Sequence, residues 1–196
     1  MDTQTLRTIA NRVRRRDLQA VFEAGAGHIG GELSVTDLLT ALYFKIMSVD
    51  PAAPLAPERD RFVLSKGHTA LALYIVLAEK GFISKDEIST FLKPHSRLNG
   101  HPNRTKVPGV ETNTGPLGHG LPIGVGMAKA AGYQDAMCFS QLDAFEAALP
   151  ELLACDGPVM AVLKIAPGKA YPRDYNYIHS ATARKIFRDA LNRDET

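Results

Sequence analysis

The chain has two cysteines in 196 residues, Cys138 and Cys155, and they lack Cys-x-x-Cys spacing. This argues against a disulfide framework or a cysteine-based zinc site. It leaves two thiols in apolar surroundings, as expected of a reducing compartment. No apolar run approaches the roughly 18 residues that span a bilayer, and no signal peptide opens the chain. A cytoplasmic protein with no membrane partner is expected. Excess charge is also scarce, with a net value of +2. The one basic cluster, Arg12, Arg14, Arg15 and Arg16, falls inside a helical pattern and reads as a solvated helix face, so no nucleic-acid partner is expected. Internal repeats and low-complexity segments are absent. What remains is a chain with 45% hydrophobic and 22% charged residues, long enough for one sizeable core.

Leu6, Ile9, Val13, Leu18, Val21 and Phe22 recur at near-helical spacing and predict a helix over 2–25, stopped by Gly25. A glycine loop, GAGHIGGELS, follows, with Ser34 as the expected N-cap of a helix over 35–47 and Asp37 at the capping-box position. RFVLS (61–65) reads as a short strand. Helices are expected over 69–81, closed by Gly81, and over 84–92, capped by Ser84 with Glu87 three residues on. Residues 93–117 carry no regular pattern, and a loop of that length is usually functional. A helix over 118–131, a strand at 135–139, a helix over 142–154, a strand at 157–167 and a terminal helix over 181–192 complete the pattern. Alternation of strand and helix predicts a parallel α/β sheet. Only three strands are evident, fewer than a doubly wound sheet needs to cover both faces.

Four glycine–histidine turns stand at the ends of predicted elements: AGHIGG with His28, SKGH with His68, LNGHPN with His101 and GPLGHG with His119. A single such pair is weak evidence, but four define a pattern. Histidine near neutral pH donates, accepts or carries a proton, and glycine lets the backbone approach a ligand. A helix opening at GHGLP directs free N–H groups toward an anion or a polar ring. Zinc is the competing reading. However, no two histidines stand at i, i+4 and no acidic partner accompanies them.

The phrases GHIGGELSVTDLLTALYF, VDPAAPLAPERDRFVLSKGHTALALY and LNGHPNRTKVPGVETNTGPLGHGLPIGVGMAKAA agree in order and spacing with one family. From about residue 7 to 130 the chain resembles the N-terminal, thiamine-diphosphate-binding part of transketolases, particularly the split-subunit kind. The resemblance implies a three-layer α/β/α fold with a parallel sheet. It also implies transfer of a two-carbon ketol unit between sugar phosphates. By the same resemblance His28 faces the substrate's oxygen atoms and His101 helps hold the donor ketose. His68 approaches the cofactor's diphosphate, and the loop of Gly115, Leu117, Gly118, His119 and Gly120 contacts the cofactor rings, largely by backbone at Gly115 and Leu117. Position 119 is commonly glutamine in the family. A partner subunit supplying the pyrimidine-side glutamate, or a second copy of the chain, is implied as well.

Residues 131–192 resemble the closing segment of phosphonopyruvate- and sulfopyruvate-decarboxylase-like enzymes, so a 2-keto acid is the alternative substrate. The whole chain, 1–196, is then expected to be one cofactor-binding domain, joined near 130–132. At that join the family carries a Gly-Asp-Gly turn and a later asparagine that hold Mg²⁺, and this sequence has neither. Asp156-Gly157 with Asn176 mimics the motif only superficially, because Asp156 precedes a strand and a helix-to-strand turn explains it. No metal ligand is therefore assigned, although the resemblance implies Mg²⁺. A shortened, non-catalytic homologue serving as a binding or scaffold module stays open as the alternative to an enzyme subunit.

Overall fold

The run ALALYIVLA is apolar on every side, so a helix built from it has no face to give to water. It forms α3 (Ala70–Lys80), in which every residue from Ala70 to Ala78 is buried. Gly81 closes the helix at φ 105°. Its N–H bonds to the Ala78 carbonyl and that of Phe82 to the Leu77 carbonyl, which satisfies two of the last orphan acceptors. The structure is a computed structural model that describes residues 1–132, 135–139, 141–154 and 159–163, with Thr182 and Lys185. The chain divides into two units, Met1–Ile123 and Gly124–Thr196.

In the first unit α1 (Thr3–Ala24) and α2 (Ile29–Ala41) pack on α3 and on each other. The Asp2 carboxylate caps α1 by accepting the Thr5 N–H at 2.7 Å. The buried stripe of α1 runs Ile9, Val13, Asp17, Ala20. That of α2 runs Glu32, Val35, Thr36, Leu39, Thr40, and both follow helical periodicity. Around this core, Ile83, Ile88, Phe91, Leu98 and Val107 are buried from the irregular segments.

Three local expectations need correction here. α2 begins at Ile29, because the His28 carbonyl accepts the N–H groups of Gly31 (2.8 Å) and Glu32 (3.0 Å). Ser34 is therefore not an N-cap but lies inside the helix, with its hydroxyl donating to the Gly31 carbonyl at 2.7 Å. RFVLS is not a strand. A strand is stable only within a ladder, and the first unit has no strand among the described residues to pair with. Its apolar side chains serve the core instead, through buried Leu64 and through Phe62, whose ring meets Tyr43 edge to face. The helix expected over 84–92 is a 3₁₀ turn, Lys85–Thr90. Ser84 does cap it, accepting the Asp86 N–H at 3.3 Å, but Glu87 is committed to a bidentate pair with Arg97.

The helix expected over 118–131 is present as α4 (Gly120–Ala130). The second unit contains β1 (Asp135–Phe139), α5 (Leu142–Ala154) and β2 (Val159–Leu163). The two strands pair in parallel, from Asp135 opposite Val159 to Phe139 opposite Leu163. Parallel neighbours cannot be joined by a tight turn, and α5 provides the crossover. β2 falls within the strand expected at 157–167. The terminal helix expected over 181–192, Asp156-Gly157 and Asn176 lie outside the described residues. No helix among the described residues is long and apolar enough to cross a membrane.

Candidate functional site

Four successive residues, Ser65 to His68, each reach a different segment of the first unit. The Ser65 hydroxyl accepts the Gly120 N–H at 3.1 Å. Lys66 Nζ donates to Ser34 Oγ at 2.8 Å and lies 3.3 Å from the Gly31 carbonyl. A Cβ on Gly67 would lie 2.4 Å from the Thr114 carbonyl oxygen and 2.7 Å from the Gly115 nitrogen, so only glycine permits this approach. The His68 ring meets that of His28 edge to face, with centroids 5.2 Å apart. The approach is close on the α2 side too, since a Cβ on Gly31 would stand 3.1 Å from His68 Nε2.

His101 joins this group. Its carbonyl accepts the Tyr74 hydroxyl at 3.0 Å, and its ring edge lies beside Gly115, where a Cβ would be 3.6 Å from His101 Cδ2. Desolvation holds the His68 imidazole below its ordinary pKa, and the nearby charges of His28, Lys66 and His101 add to that shift. Burial also lowers Lys66. The field here is positive, and among the described residues no carboxylate pairs with Lys66 or with these histidines. Such a donor set suits an anionic, polyoxygen ligand.

Three of the four histidines named from the sequence, His28, His68 and His101, are thus brought together. His119 is exposed in the turn before α4, with its N–H bonded to the Pro116 carbonyl. Leu117 is 67% exposed, and Gly118 adopts φ 82°. One expectation fails: the start of α4 has few N–H groups to offer. Gly120 donates to Ser65, Leu121 to the Gly118 carbonyl and Ile123 to that of His119, and Pro122 has none. Side chains are therefore the free donors that this site has for an anion. Lys66 was passed over in the sequence although it stands inside the SKGH turn, and a lysine between two glycine–histidine turns was a readable signal.

The histidine cluster is open to solvent, with His28 and His101 both exposed. Two surface concavities lie elsewhere, one lined by Met47, Asp50 and Arg59, the other by Asn11, Arg12 and Arg16. No group of three or more histidine, cysteine, aspartate or glutamate side chains among the described residues is placed to hold a metal ion. The close-approaching glycines and the N–H donors of Lys66 and the histidines do fit the diphosphate of the implied cofactor.

Comparison with known proteins gives the same direction. The chain is 53% identical over 131 residues to an apulose-4-phosphate transketolase subunit from Phocaeicola vulgatus, covering 67% of this chain and 46% of that protein. It is 44% identical over 121 residues to a 6-deoxy-6-sulfo-D-fructose transketolase subunit from Clostridium sp., covering 62% and 44%. Among solved structures it superposes on a transketolase from Leishmania mexicana with a TM-score of 0.62 at 34% identity, covering 66% of this chain and 19% of that one. The chain thus spans under half the length of these transketolase subunits. Residues 5–147, more than half of the chain, match the family described as transketolase, thiamine diphosphate binding domain, and with the histidine turns assembled as above the chain belongs to that family.

Proposed function

We propose that the chain is one subunit of a split transketolase, moving a two-carbon ketol unit between sugar phosphates with thiamine diphosphate bound. The observation that carries this reading is the convergence of His28, His68, His101 and Lys66 around the closely approaching Gly31, Gly67 and Gly115. Thiamine diphosphate, when bound, supplies the carbanion chemistry. The chain's own side chains then bind and orient. Exposed His28 and His101 hold the sugar's hydroxyls and pass protons at them. His68, kept neutral by its surroundings, accepts or donates at the diphosphate. Gly115 and Leu117 offer backbone groups to the cofactor rings, with Gly118, His119 and Gly120 completing that wall.

His28, His101, His119 and Leu117 are exposed, so the cluster is open to solvent. This supports a partner subunit, or a second copy, that closes it and supplies the pyrimidine-side glutamate. Relatives that are themselves named as subunits of transketolases favour a separate partner chain. On this reading residues 1–196 form one cofactor-binding domain, shortened at 130–132. The β1–β2 pair is then what remains of a three-layer α/β/α sheet.

One observation favours a second reading. The sequence lacks the Gly-Asp-Gly turn of the family. A shortened homologue that binds without catalysing fits that departure. Calorimetric titration of thiamine diphosphate into the purified chain, with and without Mg²⁺, followed by a ketol-transfer assay with the candidate partner subunit, separates the two. Binding with turnover supports the enzyme reading. Binding without turnover supports the module, and no binding overturns both.

A further inference from the structure

The side chain of Lys66 is better fixed than a surface lysine ordinarily is. Its ammonium sits at a junction, bonded to Ser34 Oγ at 2.8 Å and 3.3 Å from the Gly31 carbonyl. Ser34 in turn donates to that same carbonyl at 2.7 Å, so the three groups form a closed triangle. An ammonium has three N–H donors, and the third finds no acceptor among the described residues. Several other cations of the first unit are neutralised. Arg12, Arg16 and Lys85 share Glu79, while Arg14 pairs with Asp37, Arg59 with Glu111 and Arg97 with Glu87. Unlike these, Lys66 has no carboxylate against it among the described residues, and it stands two residues from His68 in the same turn.

The helix start that would otherwise bind an anion is occupied. The N–H groups of Gly120, Leu121 and Ile123 at the head of α4 are already bonded within the chain. A diphosphate arriving at the histidine cluster therefore meets side-chain donors first, and Lys66 is the one with a spare N–H and no carboxylate against it among the described residues. Resting on the cofactor reading above, we propose that Lys66 is the cation that holds the diphosphate end of the ligand here, and that it does so without magnesium. Its bonds to Ser34 and Gly31 make it a positioning residue as well, tying the His68 turn to the first turn of α2 so that His28 and His68 face the same ligand.

The test is titration of the full-length chain with inorganic pyrophosphate and, separately, with thiamine diphosphate, each in EDTA and in excess Mg²⁺. The wild-type chain is expected to bind both in EDTA, with affinity falling steeply as salt rises. Lys66→Met should weaken pyrophosphate at least tenfold and flatten that salt dependence, Lys66→Arg should stay within about threefold of wild type, and Ser34→Ala should fall between them. A purely structural role would not be rescued by arginine or leave a charge signature in salt. If Lys66→Met misfolds by circular dichroism, Lys66→Arg and the wild-type salt dependence still decide. Pyrophosphate binding only with Mg²⁺, or binding in EDTA that is insensitive to Lys66, overturns the proposal. Binding of pyrophosphate but not of thiamine diphosphate in EDTA would leave Lys66 standing and sink the cofactor reading instead.

Discussion

The imidazoles of His28 and His68 meet edge to face with their centres 5.2 Å apart, one at the head of α2 and the other in the turn before α3. Two rings at that distance cannot both be protonated without cost. Desolvation of His68, together with His28, Lys66 and His101, already holds its pKa below the ordinary value of 6.5. At pH 7 His68 is therefore neutral, and as pH falls it resists protonation longer than a free imidazole does. The group is depressed on folding, so the folded state loses stability as pH drops from about 6.5 through the folded pKa. An NMR titration of the imidazole carbons should place the His68 midpoint below the ordinary value of 6.5. Replacing His28 with Asn should move His68 upward, by less than the whole shift because desolvation is the larger cause.

Gly67 and Gly30 make a paired test of the same residue type. A Cβ on Gly67 would stand 2.4 Å from the Thr114 oxygen, whereas one on Gly30 meets nothing within 4 Å. Gly67→Ala should push the 114–115 segment away, costing about 1–3 kcal/mol of stability as overpacking does and weakening cofactor binding with it. Gly30 lies inside α2, where alanine loses less backbone entropy. Gly30→Ala should therefore gain roughly 0.5–1 kcal/mol. Urea midpoints of the two variants should move in opposite directions.

The parts of this chain that could be read from sequence were those in which a local signal and a tertiary demand agreed. The all-apolar run of α3 can only be buried, and Gly25 and Gly81 sit where helices need to stop. Four glycine–histidine turns stood out, and the histidines of three came together. RFVLS misled because a short apolar pentapeptide has the composition of a strand, whereas a strand also needs a neighbour, and the first unit has none among the described residues. Ser34 misled because Gly30 and Gly31 argue against helix locally. The close approach of Gly31 to Thr69 and His68 overrides that propensity, since only a helix start without side chains fits there. Lys66 stayed hidden for a different reason. Its importance lies in Ser34, thirty-two residues away, and in the absence of any carboxylate partner among the described residues, neither of which a motif displays.

Glu79 anchors α1 and the 3₁₀ turn to α3. Its carboxylate is buried, with Arg12 Nε and Lys85 Nζ at 3.0 Å and Arg16 Nε at 3.5 Å. Desolvation alone would raise its pKa, but the Lys85 hydrogen bond and the charges of Arg12, Lys85 and Arg16 outweigh it and lower the value. A depressed carboxylate contributes stability that is present above its unfolded value of 4.5 and lost as pH falls through the folded one. Glu79→Gln should cost about 1.5–3 kcal/mol at pH 7, the range for hydrogen bonds to charged groups, and much less near pH 3. Thermal melts at the two pH values check both the size and the sign.

Asp17 and Glu32 do the reverse. They face each other across the α1–α2 contact at 0% and 1% exposure, and none of their four carboxylate oxygens has a hydrogen-bond partner among the described residues. Burial pushes Asp17 up to about 8, with Glu32's charge adding to it, and pushes Glu32 up to about 7 despite the lowering influence of the nearby His28 backbone N–H. Both pKa values are raised on folding, so the folded state holds protons that the unfolded chain releases above about 4. The resulting stability is full below that pH and drains away as pH climbs through 7 to 8. The chain should therefore melt progressively lower from pH 5 to pH 8. Because Glu32 is in the first turn of α2, the loss begins beside His28, and ligand binding should weaken along with the fold. Glu32→Gln removes one ionisable group at nearly constant volume. It should flatten the alkaline decline and raise the melting point at pH 8.5, by an amount corresponding to about 1–3 kcal/mol, the range for a buried group left unsatisfied. An alkaline decline of unchanged slope in Glu32→Gln would show that the two carboxylates do not share their protons across the helix contact.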